Sequence, residues 1–156
     1  MTPLPASHGM YFEEFAAGQK IVTMGRTISE ADIFNFAGLS GDYNPIHTDA
    51  EFSKTIPFEQ RIAHGLLGVA VASGLAYRTG ILEGTTIAFR EIKEWRFSKP
   101  VFIGDTIHVE MIVNETKAVP RLKGGAVDIL LDVKKQTGDT VMKGTWSILI
   151  MSKPDA

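Results

Sequence analysis

The sequence predicts an α+β fold in which an antiparallel sheet is wrapped around one buried helix. Helical patterns occupy the first half of the chain, and four strand patterns follow one another in the second half. The stretch from Leu66 to Tyr77 is almost wholly small or apolar, as expected for a helix in the centre of a domain. Helices followed by a run of strands are typical of α+β proteins. The 156 residues contain no repeat or linker, which favours a single domain.

The first elements are predicted from β-branched residues and capping signals. A strand is expected over Lys20–Ile28, where β-branched and polar residues mix. Ser29, followed three residues later by an acid, predicts the start of a short amphipathic helix that ends at Gly38. Asp49 is a candidate N-cap for a further short helix over Ala50–Lys54.

The second half is predicted to form the sheet. Apolar and polar residues alternate with a period of two in the two middle segments, as in strands with one buried face. Glycine-containing turns are expected at Gly104-Asp105 and around Gly138. The four predicted strands are Thr86–Phe97, Ile107–Asn114, Val127–Lys134 and Thr140–Met151.

Composition excludes several classes of function. The formal net charge is -2, which gives no reason to expect nucleic acid or an anionic membrane as a partner. The chain has no cysteine, so a disulfide framework and a thiol nucleophile are excluded. Residues 1–10 lack the features of a secretory signal and are interpreted as a flexible tail. The apolar stretch is shorter than the roughly 20 residues that cross a membrane, so the cytoplasm is the expected location.

The loop from Asp42 to His47 concentrates chemically useful side chains. An imidazole titrates near neutrality, and a carboxylate beside it suits general acid–base chemistry. Pro45 fixes its own backbone and extends Asn44, which could aim Asp42 and His47 at one small volume. From spacing alone the plain interpretation stays open, because Asp and Asn are common turn formers and a loop histidine is usually solvated.

A second candidate lies at the predicted start of the buried helix. The first turn of a helix presents unpaired N–H groups and a partial positive charge. Gly65 would let a ligand oxygen approach such an N–H, which could form an oxyanion hole for a thioester carbonyl. The alternative is that Gly65 only permits close packing and that His64 is a structural histidine. The histidines and acids show no metal-ligand spacing, so no metal is predicted.

These two motifs make the sequence resemble the MaoC-like dehydratase family, which includes the (R)-specific enoyl-CoA hydratases. The resemblance implies a hot-dog fold over residues 11–152. It also implies a homodimer, or a higher oligomer built from dimers; neither nucleic acid nor membrane is expected as a partner, on the composition given above. The segments that carry the resemblance are Ile28–Asp32, Phe36–His47, Phe58, Arg61–Gly65, Ser73-Gly74, Phe97–Val101 and Gly104-Asp105.

The resemblance also implies roles for individual residues. Asp42 and His47 would be the catalytic pair, and the Gly65 N–H would bind the thioester carbonyl. Asn44, which would support the geometry of the pair, is assigned to substrate binding together with His64 and Ser73, the last lining the acyl site. No cofactor is expected, because CoA is part of the substrate. Cations available for its phosphates are Arg61, Arg90, Lys93, Arg96 and Lys99.

The expected activity is reversible addition of water to a trans-2-enoyl-CoA, giving an (R)-3-hydroxyacyl-CoA in fatty acid metabolism. Three alternatives stay open. One is a hot-dog thioesterase that hydrolyses the acyl-CoA. Another is a hydratase specialised for branched or dicarboxylic acyl groups, and the third is an acyl-CoA-binding module without catalytic activity.

Overall fold

A computed structural model describes residues 8–154. Within these residues the sheet has six strands. Its strand order is β1-β4-β5-β6-β3, and β2 also pairs with β4. The paired strands are antiparallel. In chain order the elements are a 3-10 helix Phe12–Glu14, β1 Lys20–Val22, β2 Arg26–Thr27, α1 Glu30–Ser40, α2 Pro45–Thr48, α3 Ala50–Ser53, α4 Gly65–Tyr77, β3 Thr86–Phe97, β4 Thr106–Val119, a 3-10 helix Pro120–Leu122, β5 Gly124–Lys135 and β6 Thr140–Met151.

The core lies between α4 and the inner face of the three long strands β4, β5 and β6. Alternate residues of β4 from Ile107 to Val113 are buried, which confirms the period of two in the sequence. Trp146 of β6 is 2% exposed and is the largest side chain of the core. Burial of these faces supplies the main driving force for folding. The predicted α+β architecture with an antiparallel sheet is therefore confirmed.

Helix α4 is covered on one face rather than around its whole circumference. Leu67, Val71 and Leu75 are buried against the sheet, and Gly68 lets the Met142 side chain approach the helix backbone. On the other face Leu66 is 66% exposed and Tyr77 is 55% exposed. The apolar sequence of this helix predicted enclosure on every side, but the sheet of one chain wraps only half of it.

Strand β3 forms one edge of the sheet and matches its predicted bounds. It pairs with β6 on one side, and its other side bonds to no strand among residues 8–154. The register shifts at three places along β3, and Glu94 adopts a positive φ of 50°. Four large apolar side chains of this strand are more than a third exposed: Ile87, Phe89, Ile92 and Phe97.

Two predicted boundaries near the N-terminus are wrong. Helix α1 continues past Gly38 to Ser40 and ends where Gly41 takes a left-handed conformation with φ 79°, a geometry that favours glycine. The single strand over Lys20–Ile28 is split into β1 and β2. At the break, Thr23 Oγ1 accepts a hydrogen bond from the Val109 N–H, so a side chain replaces one rung of the ladder.

The segment Ile62-Ala63 before α4, which we call the strap, pairs with the segment Val101-Phe102 between β3 and β4. Ile62 forms an isolated bridge with Phe102, and the Ala63 N–H donates to the Val101 carbonyl. The segment Val101-Phe102 is held in turn by Asp105, whose carboxylate accepts a hydrogen bond from the Phe102 N–H at 2.8 Å. These contacts place the first turn of α4 against the body of the domain.

The predicted tail falls partly outside the described residues, since residues 1–7 are not among them. The Gly9 N–H donates to the Glu83 carbonyl and the Met10 N–H donates to the Ile81 carbonyl. The backbone at residues 9 and 10 is therefore attached to the domain. Within residues 8–154, none of the helices is both long and apolar enough to cross a membrane.

Candidate active site

The Asp42–His47 segment is shaped by side chains that bond to neighbouring backbone groups. The Asn44 N–H donates to Asp42 Oδ1 at 3.2 Å, and Asn44 Oδ1 accepts from the Ile46 N–H at 3.3 Å. Pro45 occupies the first turn of α2, where its missing N–H is not needed. The expected loop therefore ends in a short helix that carries His47. Asn44 shapes this turn, as predicted from its position before proline.

The His47 imidazole is held by the backbone at one nitrogen. Its Nδ1–H donates to the Ile62 carbonyl at 2.7 Å, because a carbonyl can only accept. The neutral ring then carries its lone pair on Nε2, which lies 4.0 Å from Asp42 Oδ2. The structure thus brings together the two residues predicted to form the acid–base pair.

Burial sets the protonation state of His47. The side chain is 8% exposed, whereas the Asp42 side chain is 53% exposed. Burial of the imidazole lowers the pKa of His47 below its ordinary value, partly offset by the Ile62 carbonyl and by the Asp42 charge. His47 is therefore a neutral base at pH 7, with a solvated carboxylate beside it.

His64 contacts both members of the pair. Its Nε2–H donates to the Asp42 backbone carbonyl at 2.9 Å, and its ring stacks on the His47 ring with centroids 3.7 Å apart. The residue is 3% exposed. The predicted substrate-binding role of His64 stays a prediction, while its contacts are with the pair itself.

Gly65 is the first residue of α4, as predicted. The N–H groups of a first helical turn have no acceptor within the helix and carry the positive end of its dipole. A Cβ atom on Gly65 would lie 2.8 Å from a Phe97 ring carbon, so only glycine keeps this backbone open. The geometry suits an oxyanion hole at this position.

A cavity of about 520 Å³ opens at the start of α4. His47, His64 and Gly65 line it together with apolar side chains, whereas Asp42 is not among the lining residues. Such a cavity matches sites for small ligands, which are mostly apolar with a few convergent polar groups. Its large apolar side chains include Phe58, Leu66, Phe97 and Met142.

Ser73 is not brought to this cavity. It lies two turns further along α4 and lines a separate cavity of about 270 Å³ with Tyr77, Phe89 and Trp146. Eight residues of helix correspond to roughly 12 Å, so Ser73 and Gly65 are too far apart to contact the same substrate atom. A role of Ser73 along an extended acyl chain stays a prediction.

Of the cations proposed for the CoA phosphates, Lys99 lines the cavity. Its Nζ lies 2.5 Å from Asp139 Oδ1, so part of its charge is already balanced. Arg61 bonds Glu30 and Lys93 bonds Asp128 in the same way.

Sequence reasoning missed Phe97 and Met142 as cavity residues, and the Ile62 carbonyl as the partner of His47. They come from three separate segments and share no local motif. The available signals were the positions of Ile62 within the Arg61–Gly65 segment and of Phe97 at the start of the Phe97–Val101 segment.

The sequence predicts no metal, although three candidate ligands come close together. Asp42, His47 and His64 each offer an atom within 4.8 Å of the other two. The two rings are stacked at an interplanar angle of 28°, so their lone pairs lie in nearly parallel planes and do not converge on one ion. His64 Nε2 is also engaged by the Asp42 carbonyl. This geometry does not suit a metal ion.

Comparison with known proteins gives a family for this arrangement. A family model for the MaoC like domain matches residues 13–135. The (R)-specific enoyl-CoA hydratase of Rhodospirillum rubrum is 38% identical over 113 residues, covering 72% of this chain and 74% of that protein. The (R)-specific enoyl-CoA hydratase of Aeromonas caviae is 31% identical over 143 residues, covering 86% of this chain and 98% of that protein.

Solved structures with a similar fold cover nearly the whole chain. The monoamine oxidase regulatory protein from Archaeoglobus fulgius has 39% identity and a TM-score of 0.87, covering 94% of this chain and 97% of that one. A Mycobacterium tuberculosis protein described as a double hotdog fold has 19% identity and a TM-score of 0.82, covering 95% of this chain and 46% of that one. The second likeness concerns the fold alone.

The sheet and central helix define a hot-dog domain, with an imidazole and a carboxylate close together near the start of the helix. The chain belongs to the MaoC-like dehydratase family. Several of its relatives are named as hydratases or dehydratases, and the chain is an enzyme of the same hydro-lyase class. The fold and family expected from the two sequence motifs are thereby confirmed.

Proposed function

We propose that this protein adds water to a trans-2-enoyl-CoA to give an (R)-3-hydroxyacyl-CoA, reversibly. One observation carries the proposal: the free Nε2 of a buried, neutral His47 lies 4.0 Å from Asp42 Oδ2, beside the start of α4. The names of the Rhodospirillum rubrum and Aeromonas caviae relatives support this substrate class. The reaction needs only acid–base and electrostatic catalysis, so no cofactor is required.

In the hydration direction, water is held between His47 Nε2 and the Asp42 carboxylate. His47 takes a proton from the water while the oxygen forms a bond to C3 of the enoyl group. The π electrons move toward the thioester oxygen, where the Gly65 N–H and the dipole of α4 stabilise the negative charge. The protonated pair then returns a proton to C2 on the same face. Removing an oxyanion donor in other enzymes costs about 3–4 kcal/mol.

The open edge of β3 supports a homodimer. A long edge strand with exposed apolar side chains favours pairing with another chain, and a second copy would offer the same surface. Ile87, Phe89 and Ile92 line this edge and are 37%, 47% and 45% exposed. We propose that two subunits pair here, which would also cover part of the exposed face of α4. We also propose the cytoplasm as the location of this protein.

The direct test is loss of the ultraviolet absorbance of the conjugated enoyl thioester across short, long and branched trans-2-enoyl-CoA esters. We expect turnover and an (R)-3-hydroxyacyl product on chiral analysis. Release of free CoA from saturated acyl-CoA would identify a thioesterase instead. Binding of crotonyl-CoA without turnover would identify a binding module. A preference for branched or dicarboxylic esters would identify the specialised hydratase.

A further inference from the structure

We propose that His64 is a positioning residue that holds both members of the acid–base pair in register. The proposal rests on the function proposed above and adds a third residue to its machinery. His64 precedes Gly65 as the N-cap of α4, so the oxyanion site and the pair are connected through one residue.

Each contact of His64 fixes a different group. Its Nε2–H bonds the backbone carbonyl of Asp42 at 2.9 Å, which ties the exposed loop to the start of α4. Its ring face lies against the His47 ring at 3.7 Å, and Phe36 packs nearby at 4.9 Å between centroids. The His64 ring therefore lies in contact with two other rings and limits tilting of the base.

The remaining nitrogen of His64 argues against a purely structural role. Nδ1 is enclosed and finds no hydrogen-bond partner among the described residues. A buried acceptor without a partner opposes folding, so a histidine chosen only to fill space would be a poor choice. A phenylalanine could supply the ring face, and a glutamine could supply the N–H. Imidazole supplies both at once.

The electrostatics point the same way. The titratable groups that face His47 are the Asp42 carboxylate and the His64 ring. Burial lowers the pKa of His47, while the hydrogen bond to the Ile62 carbonyl and the Asp42 charge oppose the change; a positive charge on His64 would lower the pKa further. Removing the His64 ring would admit water to His47 and raise the pKa of His47 toward its ordinary value.

Two variants separate the two contacts. His64→Gln keeps an N–H donor and loses the ring, and His64→Phe keeps a ring and loses the donor. We expect each to lower kcat by about 10- to 100-fold with KM changed less than about threefold, because small misplacement of reacting groups costs this much. His108→Gln and His108→Phe, on the outer face of β4, are matched controls and should leave kcat unchanged. Normal kcat in both folded His64 variants would overturn the proposal.

A second measurement is independent of any substrate. Nitrogen-15 NMR of the wild-type imidazoles should show the proton of neutral His64 on Nε2 and that of neutral His47 on Nδ1. In His64→Gln the pKa of His47 should rise. The opposite tautomer of His64 in the wild type, or an unchanged His47 titration in both variants, would overturn the positioning role. Absence of hydration by the wild type would instead reject the proposed function and leave this NMR result standing.

Discussion

Among residues 8–154, two clusters place an imidazole within 4.0 Å of a carboxylate, and they differ in the burial and the hydrogen bonding of the imidazole. At the start of α4, His47 lies 4.0 Å from Asp42. On the outer face of the sheet, His108 lies 3.7 Å from Glu110, which also contacts Lys134 at 3.0 Å. We call these the inner cluster (Asp42, His47, His64) and the outer cluster (His108, Glu110, Asp132, Lys134).

The two imidazoles of the inner cluster are fixed by backbone carbonyls and enclosed, whereas the Asp42 side chain is 53% exposed. As whole residues, His47 and His64 are 6% and 3% exposed, and each donates a ring N–H to a carbonyl. In the outer cluster the His108 and Glu110 side chains are 28% and 42% exposed, and the hydrogen bond from Lys134 is the main cause that lowers the pKa of Glu110. Both clusters bring an acid close to an imidazole, so proximity alone does not distinguish them: the proposed catalytic imidazole differs from His108 in its burial and in its fixed tautomer.

The largest expected difference between the clusters is in catalysis. Asp42→Asn and His47→Ala should each lower kcat by at least about 10²-fold, the contribution of a positioned acid or base. Glu110→Gln and His108→Ala make equivalent changes in the outer cluster and should retain wild-type kcat. Steady-state rates of enoyl-CoA hydration by the four folded variants measure the contrast. Near-normal turnover in either inner variant would remove that residue from the mechanism.

The neighbouring helix start gives the next contrast. Gly65→Val should lower kcat by about 10²–10³-fold, because its side chain would meet Phe97 and obstruct the N–H. Gly74→Val is the matched control, since a Cβ at Gly74 on the same helix meets nothing within 4 Å. Kinetics of both variants, with circular dichroism to verify folding, test the oxyanion role. Equal activity of the two variants would contradict it.

Stability and activity should depend on pH in a way that reflects the burial of His47 in the inner cluster. The pKa of folded His47 is lowered from 6.5, so an unfolded chain binds that proton more readily. The stability due to His47 is complete above about pH 6.5 and decreases as pH falls through the folded pKa. The acidic limb of kcat/KM should likewise have its midpoint below 6.5. Urea unfolding of wild type and His47→Gln between pH 7.5 and 5 measures this, and an identical pH slope for both proteins would contradict it.

The smallest effects are expected in the outer cluster. Glu110→Gln should change Tm by less than about 2 °C, because exposed ion pairs contribute little and are screened by salt. Thermal unfolding at low and high salt provides the measurement. A large loss of stability would mean that the outer cluster is more than a set of solvated charges.

The fold could be predicted because its signals are local. Alternation from Ile107 to Val113 reports a half-buried strand, and the apolar α4 reports a central helix. The end of α1 was harder, because Gly38 and Gly41 are both plausible stops and only the backbone geometry decides between them. Exposure of one face of α4 was beyond the sequence, since it depends on how far the sheet curls.

The candidate site was predictable in part: the sequence points to the polar residues near the start of α4 but not to the cavity residues Phe97 and Met142, nor to the contacts among the polar residues. Asp42, His47 and Gly65 belong to short motifs that the chain pattern reveals. The bond from His47 to the Ile62 carbonyl joins residues 15 apart, and the stack on His64 joins two motifs. Such contacts depend on the position of the strap before α4, which periodicity and capping do not encode.

The irregular edge strand affects how a lone chain behaves. A straight strand from another protein can follow β3 over only a few residues before a register shift interrupts the match. Fibril growth needs long, regular strands that stack repeatedly, so the three shifts act against amyloid-like aggregation. The backbone N–H and C=O groups on the open side of β3 can bond to another strand, but the three irregularities disfavour the repeated strand stacking of a fibril.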